Sequence, residues 1–165
     1  MGGWRILGMA DGVNNTDAAT VGQSLLKSGN LSGLADVGVA RDNLGVDILA
    51  LNIPFDGAGA EIADNYKVRV YCPFAFTILE WTLGADQSGS IVIDIWSRLH
   101  ASYPPTVTQT ITASAKPTIS AALTGQNSTL TGWTVAVPAG SWLIFNVDSC
   151  TTIQEALLCL KVSRD

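Results

Sequence analysis

The sequence predicts an all-β fold, an antiparallel β-sandwich of jelly-roll-like type, preceded by an extended N-terminal arm and a short helix. Three observations predict it. From about residue 52 onward, seven or eight short runs rich in β-branched and aromatic residues recur between Gly, Pro and Ser clusters, with no helical period among them. Residues 31–51 carry one short stretch of helical periodicity. Residues 1–30 are rich in Gly, Asn, Thr and Ala and have too little apolar area to offset the entropy of ordering. The expected organisation is an arm over 1–30, a short helix and linker over 31–51, and a β-sandwich over 52–165.

The arm is polar except for Trp4, Ile6, Leu7 and Met9, a cluster that either docks on another protein or packs back on its own domain. In the linker, Ser32 suits a helix N-cap, Leu34, Val37, Ala40 and Leu44 fall on one stripe, and Gly45 would end the helix. Gly33 and Gly38 each cost roughly 0.5–1 kcal/mol relative to Ala. About three turns is too short a helix to persist alone. The stripe therefore needs cover, either from its own sheet or from copies around a threefold axis.

The sandwich opens with a Gly-rich turn at Asp56-Gly-Ala-Gly-Ala-Glu61, which lacks the alternating Asp/Asn of a calcium loop. Residues 66–71 alternate, Val68 and Val70 on one face and Lys67, Arg69 and Tyr71 on the other. At the centre, residues 73–96 place two apolar runs on either side of Gly84-Ala-Asp-Gln-Ser-Gly-Ser90, which reads as a hairpin with a long loop. Ile91, Ile93 and Ile95 share one face of the second run and Val92, Asp94 and Trp96 the other, so a strand covered on both sides, or on one side plus a neighbouring subunit, is expected. Residues 98–105 read as a loop and 107–112 as a polar, Thr-rich strand. Residues 116–123 and 129–137 follow as strands, and 142–148 with 155–162 as a closing antiparallel pair.

Three segments carry a resemblance. Asn15-Thr-Asp-Ala-Ala-Thr-Val-Gly-Gln23 resembles a short segment that recurs at the necks and attachment regions of trimeric phage fibres and adhesins. Residues 25–46, LLKSGNLSGLADVGVARDNLGV, resemble the linker between the virion-attached and distal parts of many bacteriophage tail-fibre and tail-collar proteins, departing from its pattern at Gly33 and Gly38. The stretch from Phe55 to Val162 also resembles a C-terminal module recurrent in phage virion proteins. Its marks are Phe55-Asp-Gly-Ala-Gly59, Pro73-Phe-Ala-Phe-Thr-Ile78, residues 85–96, Tyr103-Pro-Pro-Thr-Val107, Lys116-Pro117, Leu130-Thr-Gly-Trp133 and Phe145-Asn-Val-Asp148. The resemblance implies a structural fibre or fibre-tip protein of a virion, trimeric, docked to another virion protein through residues 1–30. It implies no known receptor.

Composition narrows the function further. A net charge of −5 with no basic cluster makes nucleic acid a poor partner. No apolar run reaches the roughly 18–20 residues of a membrane span. No secretory signal is read at the N-terminus, so synthesis in a host cytoplasm and residence in the virion are expected. Cys72, Cys150 and Cys159 lack CxxC spacing and read as free thiols, although Cys150 and Cys159 flank the last turn and could pair if oxidised.

No catalytic, metal or cofactor residues are assigned. His100 stands alone in a loop without a nucleophile elbow or metal-ligand spacing. Asp94 is an unusual carboxylate between Ile93 and Ile95, but no second carboxylate accompanies it to argue glycoside hydrolysis. Among the tryptophans, Trp133, after Thr131-Gly132, is the candidate contact for a host-surface glycan. The expectation is a non-enzymatic tail-fibre or fibre-tip subunit facing the host, with a capsid decoration or head-fibre protein and a glycan-binding or glycan-cleaving module as alternatives. Its trimer interface would include Leu34, Val37, Ala40 and Leu44, and its virion-docking surface Trp4, Ile6, Leu7 and Met9.

Overall fold

The computed structural model describes residues 37–165, and the chain divides after Leu44 into two compact units. In the first, helix α1 spans Val37–Leu44 and stops at Gly45, whose φ of +63° is the left-handed conformation a helix-ending glycine adopts. Ala40 is half-buried, whereas Leu44 is 65 % exposed. Trp4, Ile6, Leu7, Met9 and Leu34 lie outside the described residues, as does the side chain of Val37.

The second unit, Gly45–Asp165, is a single antiparallel sheet of seven strands, curled so that its two halves enclose one core in a sandwich-like arrangement. Strands β1 (Ile48–Asp56), β2 (Lys67–Cys72), β3 (Phe76–Leu99), β4 (Thr118–Asn127), β5 (Ala136–Val137), β6 (Ser141–Thr151) and β7 (Glu155–Arg164) run in the order β1-β7-β3-β6-β2, with β4 and β5 also paired to β3.

The backbone of the fold is a long two-stranded ribbon. The first half of β3 pairs with β7, from Phe76 opposite Arg164 to Ala85 opposite Ala156, and its second half with β6, from Ser90 opposite Thr151 to Leu99 opposite Ser141. Thus β6 and β7 are not the hairpin expected from sequence. They follow one another along the same edge of β3. Outside them, β1 pairs with β7 and β2 with β6.

The expected central hairpin is likewise a single 24-residue strand that bends where a turn was predicted. Residues 84–90 have turn composition, but their polar groups are used across the ribbon. Asp86 Oδ1 accepts the backbone N–H groups of Gln154 and Glu155, each at 3.1 Å, and Gln87 Nε2 donates to the Thr152 carbonyl at 2.6 Å. Gly89 is dictated by space, because a Cβ there would lie 2.5 Å from the Thr151 carbonyl oxygen and 2.7 Å from Ile153 Cγ1. Register shifts at Gly84/Gly89 and Gly89/Ile91 mark the bend on the β4 side.

Period-two patterning fills the core. Ile91, Ile93 and Ile95 of β3, Leu143, Phe145 and Val147 of β6, and Leu158, Leu160 and Val162 of β7 are all fully buried. Each such aliphatic contributes about 1.5–3 kcal/mol by leaving water. The alternate residues Leu157, Cys159 and Lys161 of β7 face outward, as their spacing predicts.

Three other expectations change. Residues 48–51, read as linker, belong to β1. The polar strand expected at 107–112 is a 3-10 turn over Val107–Gln109, held by Gln109 Oε1 accepting the Thr106 N–H at 2.9 Å, then an isolated bridge from Thr110 to Trp96. Of the strand expected at 129–137, only Ala136–Val137 forms, because Asn127 Oδ1 accepts the N–H groups of Thr129 and Leu130 and holds a turn there.

Candidate functional site

Alternation sorts the half of the sheet formed by β2, β6 and the end of β3 into two faces. Val68 and Val70 pack toward the core, leaving Lys67, Arg69 and Tyr71 outward. Register then sets the outward residues in rungs. Tyr71 lies opposite Trp142 and Trp142 opposite Arg98; Arg69 lies opposite Ile144 and Ile144 opposite Trp96; Lys67 lies opposite Asn146 and Asn146 opposite Asp94. This outer face holds two side-chain clusters.

The first surrounds Asp94, which is fully buried on the side of β3 away from the core. The segment after the 3-10 turn covers it. Thr110 Oγ1 and Thr112 Oγ1 donate to Asp94 Oδ1 at 2.6 and 2.7 Å, and Lys116 Nζ lies 3.2 Å from Oδ2. Lys116 also donates to Asp148 Oδ2 at 2.6 Å, and Asn146 Nδ2 donates to Asp148 Oδ1 at 2.7 Å. Burial pushes the Asp94 carboxyl up, but the hydroxyls of Thr110 and Thr112, the Trp96 N–H and Lys116 together outweigh it and hold the group below the ordinary carboxylate range. The buried Trp96 N–H makes no well-formed hydrogen bond, and its dipole still favours the charged carboxylate. Asp94 is therefore a charged, hydrogen-bonded clasp between strand and covering segment, which is why β3 is covered on both sides.

The second cluster is aromatic and open. The Trp142 ring centroid lies 5.4 Å from that of Tyr71 and 5.3 Å from that of Tyr103, with interplanar angles of 53° and 57°. Trp142 Nε1 donates to His100 Nδ1 at 3.1 Å, and the His100 backbone N–H donates to the Gly140 carbonyl at 2.9 Å. His100 sits edge-on to Tyr71 at 6.4 Å. Tyr71 and Tyr103 remain 47 % and 45 % exposed. Three elements converge here: β2 brings Tyr71, β6 brings Trp142, and the loop after β3 brings His100 and Tyr103.

The residues singled out from sequence fare differently. Trp133 is 9 % exposed and its indole N–H donates to the Ala115 carbonyl at 2.8 Å. It packs in the core, so the glycan contact expected of it is withdrawn, because a stacked sugar needs an open ring face. Trp81 and Trp96 are also buried, and Trp142 is the described tryptophan with a partly open ring. One sequence signal marked it: Trp142 alternates with the core residues Leu143 and Phe145, on the strand face that also carries Asn146 and Asp148. His100 belongs to this cluster, as a partner of Trp142.

A separate depression of about 490 Å³ runs along Pro54, Gly84 and Leu157 with Asp56, Asp86 and Glu155 at its rim. Asp86 is occupied with backbone N–H groups, and Asp56 Oδ1 accepts the Ala58 N–H at 2.6 Å in the Gly-rich turn. Among the described residues, no three His, Cys, Asp or Glu side chains group to hold a metal ion. No described helix is long and apolar enough to cross a membrane.

The thiols complete the inventory. Cys72 is buried and burial pushes it up to about 11; Cys150 is raised by burial and by the Glu61 carboxylate, and Cys159 is part-exposed on the outer face of β7. All three are free, so the Cys150–Cys159 pairing allowed by sequence is not formed. No protein-family model matches the chain, and no curated protein matches it in sequence.

Proposed function

We propose that this chain is a structural subunit of a bacteriophage virion, a trimeric tail-fibre or fibre-tip protein whose β-domain faces the host. The observation that carries the proposal is a run of exposed aliphatic side chains at the start of the β-domain. Val46, Ile48 and Leu49 are 56, 45 and 37 % exposed. Val46 lies just before β1, and Ile48 and Leu49 are the first residues of that edge strand. An edge strand with greasy, uncharged side chains invites association unless a neighbour covers it. Copies of the same chain around a threefold axis supply that neighbour, as the resemblance of residues 25–46 implies. A role in assembly and attachment rather than catalysis is favoured by the Asp94 carboxylate, which is fully buried and paired with Lys116 and two threonine hydroxyls rather than open to a substrate.

Light scattering after size separation tests the reading. The full chain at micromolar concentration should run at three times its 17.3 kDa mass. A Val46→Asp, Leu49→Asp double variant should shift it toward single chains while keeping its β-sheet spectrum. A well-folded single chain in the unsubstituted protein would remove the assembly proposal.

A further inference from the structure

We propose that Tyr71, Trp142 and Tyr103, with Arg98 and Arg69 beside them, form a binding site for an acidic sugar, a pyranose ring bearing a carboxylate. The inference gives the host-facing surface a ligand class, and it does not depend on trimer formation.

The aromatic part of the site is built and held before any ligand arrives. Trp142 and Tyr71 are cross-strand neighbours on a sheet, and the Trp142 ring is fixed by its bond to His100, whose own backbone is tied to Gly140. Rigid aromatic rings at a surface supply contact area at little cost in conformational entropy. The C–H face of a pyranose stacks on such rings, while its hydroxyls need donors and acceptors at the margin. Those are present: the Tyr71 and Tyr103 phenols make no hydrogen bond among the described residues. His100 Nδ1 is taken up by the Trp142 N–H, which leaves Nε2 as the ring nitrogen open to a ligand hydroxyl.

Charge narrows the ligand. Arg98 is the cross-strand partner of Trp142, and Arg69 stands two residues before Tyr71 on the same face of β2. Neither guanidinium forms an ion pair among the described residues, in a chain whose net charge is −5. Two unpaired guanidiniums beside a cluster of tilted aromatic rings in an acidic protein fit a planar carboxylate, which an arginine can bind through two parallel N–H bonds. A purely apolar occupant would bury two phenols and the guanidiniums without partners, which is unfavourable. A neutral sugar would leave the charges unused.

The test uses the full chain, with tryptophan fluorescence and titration calorimetry. Tetragalacturonate and 3′-sialyllactose are the acidic probes, and maltotetraose is the neutral control. At least one acidic probe should saturate with a dissociation constant below ~1 mM and bind about tenfold more tightly than maltotetraose. Tyr103→Ala, on a loop, should weaken that binding about tenfold or more. Arg98→Gln should remove the preference for the acidic probe by about tenfold. Both variants should melt where the parent does. Absence of saturable binding by either acidic probe, equal binding of maltotetraose, or binding indifferent to both substitutions would each overturn the proposal. So would a change in particle mass on Tyr103→Ala, which would make the cluster a contact between copies. If sugar binds to a protein that runs as single chains, the assembly reading alone is lost.

Discussion

Cys72, Cys150 and Cys159 show how residue type and residue behaviour part company. Sequence identifies three thiols and their spacing; only packing separates them. Cys72, buried against the core, has its thiol raised to about 11, so it stays protonated across ordinary conditions. Cys150 is also raised, and its Sγ lies 3.5 Å from the Ile153 carbonyl. The thiolate is the nucleophile, and a raised pKa with burial withholds it. At pH 8 an aromatic disulfide reagent should therefore titrate one thiol of the native chain, Cys159, and all three after denaturation. Rapid reaction of Cys72 in the native protein would contradict the burial described for it. Trp133 and Trp142 make the same point, since side-chain identity gives both a flat ring, and neighbours alone decide which ring is open.

Strand β3 is the element on which the domain depends, because β4, β5, β6 and β7 all pair with it. Its bend concentrates the strain-sensitive position at Gly89. Adding a methyl there drives it into the Thr151 backbone oxygen, which cannot rotate away as a side chain would. Gly89→Ala should destabilise the domain by about 2–4 kcal/mol in urea unfolding. A loss below ~0.5 kcal/mol would mean that the ribbon tolerates a different bend. At this scale the sequence was partly legible. Both apolar runs and the interruption between them were plain, and the buried face of Ile91, Ile93 and Ile95 was read correctly. The interruption was misread because Gly, Asp and Ser suit a bend within a strand as well as a turn. What separates the two is a distant segment, Thr152 to Glu155, that takes the hydrogen bonds of Asp86 and Gln87.

The β-domain should be acid-labile, chiefly through Asp94. Asp94 is lowered because its hydrogen bonds and Lys116 outweigh burial, and Asp86 is lowered chiefly by the Glu155 backbone N–H. A carboxyl held below its unfolded value of about 3.9 adds stability that is fully present above that pH. That stability is lost as pH falls through the folded value. The urea midpoint should thus hold between pH 5 and 7 and drop steeply below about pH 4. Asp94→Asn should lower stability at pH 7 by about 1.5–3 kcal/mol, the worth of hydrogen bonds to a charged group, and should flatten the acid limb. An unchanged acid limb in that variant would show that Asp94 does not clasp the covering segment.

Local chemistry fixed a good deal about this chain before any folding was considered. Period-two alternation and frequent Gly, Pro and Ser settle an all-β antiparallel class, and a glycine after a short apolar stripe settles where α1 ends, because these signals act between near neighbours. The sheet order, the joining of two apolar runs into one bent strand, the clasp around Asp94 and the meeting of Tyr71, Tyr103 and Trp142 were decided by tertiary structure alone. Each of those depends on register between segments dozens of residues apart, and a strand carries no mark of which partner will complete its hydrogen bonds.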